Sequence, residues 1–354
     1  MTILFFARGF YPLIGGVEKH VLEVGKRLVK KGHRVIVITE NYKATSSKSY
    51  QSLSSSATIE GIRILRIEAG KEGKLKKFRI WFQLLNYFRV IKSADIIHCH
   101  DVFFWYLPFR FLLPFKKVYT TFHGYEGNNI PNKRAIFMHK LSEKLSYGDI
   151  CVGDFLKKWY GTKPTFITYG AVDFQKENNE KNYDKNLIVF LGRLEEEAGI
   201  MDYLKAFKEV GRNHKGLRLV VLGDGVQMGE AKEYVVQNQL NAEFKGFVKN
   251  VLIYINRTSF VFTSRYLGIL ESLMSKKYVL AVYNNDIKKD YLKTTPFSEF
   301  ISISKDHTEI LSELEKYLTD AASKNIKINK GYEWVKDKTW DNMVNLYLKL
   351  WNIE

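Results

Sequence analysis

The chain has little cysteine: Cys99 and Cys151 are the only two in 354 residues. Two thiols build no disulfide framework and suit a reducing compartment. It has no apolar run of membrane-spanning length either, since VFFWYLPFRFLLPF from Val102 to Phe115 is interrupted by Pro108 and Arg110. A secretory leader is not expected, because Met1 and Thr2 run directly into the apolar ILFF without a basic region before it. The expectation is a cytoplasmic protein, soluble or peripheral at the inner face of the cell membrane. Low complexity is confined to the serine-rich TSSKSYQSLSSSA of residues 45–57, which reads as an exposed loop or hairpin insertion.

Acidic charge is scarce in the first half. Residues 1–170 carry 28 Lys and Arg against 12 Asp and Glu, whereas residues 171–354 carry 27 against 26. Almost the whole net charge of +17 is therefore N-terminal. Within that half, the segment Lys71 to Ser93 interleaves Lys74, Lys76, Lys77, Arg79, Arg89 and Lys92 with Trp81, Phe82, Leu84, Leu85, Tyr87 and Phe88. This is the composition of an amphipathic helix lying on an anionic membrane surface. A solvated basic face over a buried apolar stripe has the same composition, and both readings stand open. Nucleic acid fits less well, because no nucleic-acid-binding motif accompanies the charge.

What is present begins at Ile3. ILFFARGFYPLIGGVEKHVLEVGKRLVKKGHRVIVIT reads as a strand, a glycine loop, an amphipathic helix and a second strand. Gly15 and Gly16 fall where loop turns into helix, so backbone N–H groups there can approach an anion and the helix dipole favours it. Val17, Val21, Val24 and Leu28 recur at helical spacing and mark the buried face. A second α/β half follows: LIVFL from Leu187, GRLEEEAGIMDYLKAFKEV, and LRLVVLGDGV ending in Gly223 and Gly225. Further strands at EFKGFV, SFVFTS and YVLAVY alternate with helical stretches such as GILESLMS.

Alternation of this kind implies parallel sheets covered by helices, and 354 residues suffice for two such domains. The polar stretch GAVDFQKENNEKNYDK marks the boundary. The expected division is an N-terminal Rossmann-like domain over 1–169 and a C-terminal one over 170–335. A last helix over 336–354 is expected to pack back on the first domain. A cleft between the two is the expected working site. The cluster His98, Cys99, His100, Asp101 invites a metal reading, but strand alternation puts Cys99 on the face opposite the two histidines.

The segments GGVEKHVLEVGKRLVKKGHRVIVIT, TTFHG, FLGRLEEEAGIMDYLKAF, LVVLGDG and YLGILESLM, in that order, resemble the family 4 glycosyltransferases of the GT-B fold. The resemblance covers nearly the whole chain. It implies two Rossmann-like domains facing across a cleft, with 1–169 on the acceptor and membrane side and 170–335 on the nucleotide-sugar side. It also implies transfer of a sugar, with retention at the anomeric carbon, from a UDP- or GDP-sugar donor to a glycan or lipid-linked acceptor. No obligatory metal or other cofactor is implied, and the chain has no Asp-x-Asp pair to hold a cation against a diphosphate.

Such a reaction needs positive charge where the nucleoside diphosphate departs. Arg193, just past LIVFL, offers a planar fork suited to phosphate oxygens, with a surface loop arginine as the structural alternative. Gly16 would add a backbone N–H. By resemblance His123 in TTFHG contacts the transferred sugar, and Glu271, beginning or lying early in the helix of GILESLMS, accepts hydrogen bonds from the donor ribose. The structural alternative for Glu271 is a carboxylate stabilised by the helix dipole. Phe247 and Val248 correspond to the loop at the base, Gly223 and Gly225 end a strand facing the donor, and Gly268 and Ser272 complete the donor set.

Two positions depart from the family pattern. The lysine usual a few residues beyond the arginine is replaced by Ala198, with Arg265 as a substitute cation. The first of two glutamates is missing, because counting back eight from Glu271 reaches Thr263. A non-catalytic relative that binds nucleotide, glycan or membrane is therefore the alternative to an active hexosyltransferase.

Overall fold

The apolar runs that recur along the chain are the strands of two sheets. The structure is a computed structural model describing every residue except Ile14, residues 42–52, 71–72, Lys74, residues 126–129, 175–182 and Glu354. The chain divides into two units. One comprises Met1–Glu126, Pro131–Thr168 and Trp340–Glu354, and Tyr169–Thr339 makes up most of the other.

Among the described residues the first unit contains β1 (Thr2–Ala7), β2 (Arg34–Glu40), β3 (Ser56–Ile59), β4 (Ile62–Ile67), β5 (Ile96–His100), β6 (Lys117–Phe122), β7 (Asp149–Val152) and β8 (Phe166–Thr168), in the order β3-β4-β2-β1-β5-β6-β7-β8. All pairs are parallel except β3 with β4. Strands in the middle of a parallel sheet are covered on both faces and so read as continuous apolar runs, as ILFFA and IIHCH do. Of the serine-rich tract, residues 45–52 lie outside the described residues, while Ser56 and Ala57 open the antiparallel edge strand. Helix Gly16–Lys30 buries Val21, Val24 and Leu28, with Val17 half-buried. Helix Trp340–Trp351 buries Trp340, Met343, Val344, Tyr347, Leu350 and Trp351 within this same unit, where it packs on helix Gly16–Lys30.

The segment from 71 to 93 corrects the single-helix expectation. It forms two helices, Lys76–Leu85 and Phe88–Ser93, while Lys71 and Lys74 lie outside the described residues. Lys76 is not a surface cation: it is buried, and its Nζ donates to Glu40 Oε2 at 2.9 Å. The buried Glu40 carboxylate demands such a partner. Trp81 is half-buried and its indole N–H donates to the Phe104 carbonyl at 2.8 Å. Ile80 and Leu84 enter the core, so one face of the helix covers the sheet. Its outer face carries Leu75, Phe78, Phe82 and Leu85, all exposed and spaced by three or four residues.

The second unit contains β9 (Leu187–Leu191), β10 (Arg218–Leu222), β11 (Ala242–Gly246), β12 (Phe260–Phe262), β13 (Tyr278–Val282) and β14 (Ser302–Ser304), all parallel, in the order β11-β10-β9-β12-β13-β14. Ile188 and Phe190 face one core and Leu187 and Val189 the other, the two-residue alternation of a strand covered on both sides. Among the described residues no helix is long and apolar enough to cross a membrane.

Candidate functional site

In an open parallel sheet, ligands bind beyond the carboxyl ends of the strands at the point where strand order reverses. In the second unit that point lies at β9, with β10 on one side and β12 on the other. The loops after these three strands carry Arg193, then Gly223 and Gly225, then Arg265. Sequence-expected donor residues thus converge on one sheet end.

The glycines are explained by the backbone they pack against. Leu194 N–H donates to Asp224 O at 3.0 Å and Gln227 N–H to Leu194 O at 2.9 Å, locking the loop after β10 onto the loop that bears Arg193. A Cβ on Gly223 would lie 1.8 Å from the Gly192 carbonyl oxygen, and one on Gly225 would lie 2.4 Å from that of Leu194. Gly223 also holds a φ of +143°, a region open mainly to glycine. Both residues therefore support the Arg193 loop. Arg193 itself is exposed, with a guanidinium nitrogen 3.9 Å from Glu195 Oε1.

Arg265 is engaged rather than standing open as a bare substitute cation: its guanidinium lies 3.0 Å from Glu197 Oε1. Ala198 is buried beside that carboxylate. Glu271 is the sixth residue of helix Tyr266–Met274 and is buried, not early in its helix as the sequence suggested. The reason is that the helix begins directly after Arg265, which has extended backbone. This leaves Glu271 beyond the first turn, where the dipole acts. Ser272 donates its hydroxyl to the Gly268 carbonyl at 2.7 Å, and a Cβ on Gly268 would lie 2.6 Å from Thr263 Oγ1. Thr263, at the position of the missing glutamate, is buried, and its hydroxyl has no hydrogen-bond partner among the described residues. Phe247 is exposed and Val248 packs against Leu187, Val189, Val220 and Leu222, both just beyond β11.

In the first unit the reversal lies at β1 with β5. The loop after β1 leads to Gly15, which is extended and supplies no side-chain cap to helix Gly16–Lys30. A Cβ on Gly16, the first residue of that helix, would meet nothing within 4 Å. β5 ends in His100, and His123 follows β6. His100 Nδ1 and His123 Nε2 are 2.9 Å apart, and His123 N–H donates to Asp101 Oδ1 at 2.7 Å.

Behind this pair runs a network that sequence reading missed. Trp351 Nε1–H donates to His98 Nδ1 at 3.1 Å, so neutral His98 carries its proton on Nε2 and gives it to Thr121 Oγ1 at 2.7 Å. Thr121 then donates to Tyr347 Oη at 2.9 Å, and Tyr347 to His20 Nε2 at 2.8 Å. Burial holds His20 down to about 3 and pulls His98, His100 and His123 well below the ordinary imidazole range, with the neighbouring histidines adding to the shift. All four are therefore neutral at pH 7. The one available signal was register: His20 shares the buried face of its helix with Val24 and Leu28. Cys99 points into the opposite core, among Trp105 and Tyr106. Among the described residues no cluster of His, Cys, Asp and Glu could hold a metal ion.

Two family models match the chain, one per unit: Glycosyltransferase Family 4 over residues 14–162 and Glycosyl transferases group 1 over residues 171–334. The gpi3 subunit of phosphatidylinositol N-acetylglucosaminyltransferase from Schizosaccharomyces pombe is 24% identical over 262 residues, covering 68% of this chain and 55% of the relative. The GPI3 subunit of the same-named enzyme from Saccharomyces cerevisiae is 23% identical over 256 residues, covering 65% and 54%. The chain spans about half the length of these curated relatives. Among solved structures, sucrose-phosphate synthase from Thermosynechococcus elongatus superposes with a TM-score of 0.75 at 14% identity, covering 99% of this chain and 98% of that one. Anabaena HepE in complex with UDP and glucose gives 0.71 at 11%, covering 98% of each. With matches on both units and a shared fold over whole solved chains, the protein belongs to the family 4 glycosyltransferases and has the GT-B fold of two Rossmann-like units.

Proposed function

We propose that the protein is a retaining hexosyltransferase that moves a sugar from a UDP- or GDP-sugar to a glycan or lipid-linked acceptor, in cell-surface polysaccharide or glycolipid synthesis. One observation carries the reading: Arg193 and Arg265 follow adjacent parallel strands, β9 and β12, at the strand-order reversal of the second sheet. Two guanidinium groups there suit the charge that a departing diphosphate accumulates. Relatives named for phosphatidylinositol and N-acetylglucosamine support a hexosyl donor and a lipid acceptor, and the neighbour bound to UDP and glucose supports a uridine donor. His123 is assigned to the transferred sugar, Glu271 to the donor ribose, and the loop of Phe247 and Val248 to the base. Gly16 N–H is assigned to the diphosphate, and Gly268 and Ser272 to the donor-side helix.

Calorimetric titration with UDP-glucose, UDP-N-acetylglucosamine and GDP-mannose, beside assays of transfer and slow donor hydrolysis, tests this. Arg193→Ala is expected to weaken diphosphate binding by about 2–3 kcal/mol, the worth of a charge-assisted contact. Unchanged affinity in that variant would remove the donor site. The second reading, a non-catalytic relative, draws on Ala198, Thr263 and the engagement of Arg265 by Glu197. It prevails if the wild type binds donor yet neither transfers nor hydrolyses it. We further propose that the exposed outer face of helix Lys76–Leu85, in a strongly basic half of the chain, rests on an anionic membrane at the cytoplasmic face.

A further inference from the structure

We infer that Lys288 is a positioning residue of the donor site: it balances the Glu197 carboxylate from beneath, so that the Arg265 guanidinium remains at the disposal of a diphosphate. The inference rests on the proposed donor reading. Position 198, where the family resemblance implies a lysine, is alanine, and the residue before it is a buried glutamate. A buried carboxylate beside a diphosphate site opposes binding unless cations outnumber it.

Two cations approach the same oxygen. Arg265 lies 3.0 Å from Glu197 Oε1, and Lys288 Nζ lies 4.0 Å from it. They come from different elements: Arg265 follows β12, and Lys288 belongs to helix Asp286–Lys293. The backbone fixes that helix firmly. Asn285 caps it by accepting from Lys288 N–H at 2.8 Å, and Asn284 donates to the Glu196 carbonyl at 3.0 Å, tying the helix start to the Glu197 turn.

The two cations differ in exposure. The Lys288 side chain is 0% exposed, whereas that of Arg265 is 33% exposed. Lys288 therefore cannot reach a ligand, while Arg265 can. Two contacts offset the cost of burying the Lys288 ammonium: Nζ donates to the Ser264 carbonyl at 2.6 Å and sits 4.3 Å from the centre of the Tyr291 ring. Burial and Arg265 pull Lys288 well below the usual lysine range, and Glu197 pulls it back up. With Lys288 protonated, Glu197, Arg265 and Lys288 together carry one positive charge in excess. That is the charge position 198 lacks. Without Lys288, Glu197 and Arg265 would neutralise each other, and the guanidinium would be held by the carboxylate.

The test is a double-mutant cycle, read by calorimetry with UDP and, as the uncharged control, uridine. Lys288→Met is expected to weaken UDP about tenfold and leave uridine within about twofold, since only the charged ligand senses the balance. Glu197→Gln creates no cavity and is expected to tighten UDP a few-fold. The double variant Glu197→Gln/Lys288→Met is expected to return UDP affinity to within about threefold of wild type. Equal losses for UDP and uridine in Lys288→Met, or a double variant as weak as Lys288→Met, would overturn the inference. If Lys288→Met does not fold, Glu197→Gln decides, and weaker UDP binding in it overturns the inference. Wild-type UDP affinity in Lys288→Met, while Arg193→Ala is weakened, sinks this inference alone. A wild type that binds neither UDP nor GDP removes the donor reading and the inference together.

Discussion

Tyr347 Oη lies 2.8 Å from His20 Nε2, joining the last helix to the first across 327 positions of sequence. The same hydroxyl accepts from Thr121, so one phenol ties helix Trp340–Trp351 to β6 and to helix Gly16–Lys30. His20 in turn stands edge-on to His123, with ring centres 4.7 Å apart. The last helix is thereby part of the structure that holds His123. Tyr347→Phe removes two buried hydrogen bonds and leaves His20 Nε2 and Thr121 Oγ1 to find new partners. A loss of about 2 kcal/mol in urea unfolding is expected, and a loss indistinguishable from zero would show that the network contributes nothing net.

Acid should destabilise the first unit. His20 titrates at about 3 in the fold against 6.5 unfolded, and His139 likewise at about 3, both because burial disfavours the charged ring. A depressed folded pKa means stability that is complete above 6.5 and is lost as pH falls towards 3. Asp149, pushed up to about 6 by burial, acts in the opposite sense: its contribution is complete below 3.8 and lost as pH rises through 6. Histidines outnumber it, since His98, His100 and His123 shift the same way as His20. The urea midpoint should therefore drop steeply from pH 6.5 to pH 4, and His20→Gln should flatten that slope. A flat profile would contradict the buried, neutral state of these rings.

Alternation of apolar strands and amphipathic helices made both α/β units legible, because period two and period 3.6 are local properties of sequence. The places of Arg193 and Gly223 just past strands were legible for the same reason, whereas the packing of Gly223 against the Gly192 carbonyl was not. The histidine network was not, since His20, His98, Thr121, His123 and Tyr347 come from separate elements and only the strand order brings them together. The pairing of Glu197 with Arg265 and Lys288 was hidden likewise, being set by β12 and the helix after β13. In the segment 71–93, composition registered the basic and apolar residues but could not show that Lys76 faces inward to Glu40.

Gly223 should tolerate no side chain. A Cβ there would meet the Gly192 carbonyl oxygen at 1.8 Å, and backbone cannot move aside as a side chain can. Gly223→Ala is expected to cost roughly 3 kcal/mol or more, combining the clash with a disfavoured φ. It should weaken UDP as well, because the displaced loop carries Arg193. Gly211→Ala is the control: it lies within helix Ile200–Asn213 with nothing within 4 Å of its Cβ, and should stabilise by about 0.5–1 kcal/mol. Equal effects at the two sites would refute the packing argument.

His123→Ala separates catalysis from scaffolding. If the imidazole acts on the transferred sugar, donor affinity should stay within about a factor of three while turnover falls on the order of a hundredfold. His100→Gln, which alters the group hydrogen-bonded to His123 Nε2, should give a smaller loss in turnover. A His123→Ala enzyme with wild-type turnover would leave the ring a purely structural role.

The membrane prediction turns on the outer face of helix Lys76–Leu85. Phe78 is 61% exposed and Phe82 is 70% exposed, with Leu75 and Leu85 on the same stripe. The neighbouring helix Phe103–Leu112, against which this helix packs, ends in the exposed Phe111 and Leu112. Exposed apolar side chains on adjoining helices cost solubility unless something covers them, and the next helix along the chain, Phe88–Ser93, carries the exposed cations Arg89 and Lys92. Purified protein should co-sediment with vesicles containing phosphatidylserine and be released by high salt, since each basic residue near the surface is worth about 1 kcal/mol at modest ionic strength. Phe78→Ser/Phe82→Ser should reduce binding at least as much as Arg89→Gln/Lys92→Gln, because the rings would enter the headgroup region. Lys76→Gln is excluded from this comparison, because it would remove the 2.9 Å ion pair with the buried Glu40. Trp81 reports the event: its indole N–H is held by Phe104, so its emission should shift only modestly on binding. Equal sedimentation with neutral and anionic vesicles, or none with either, would assign the apolar stripe to a protein partner instead.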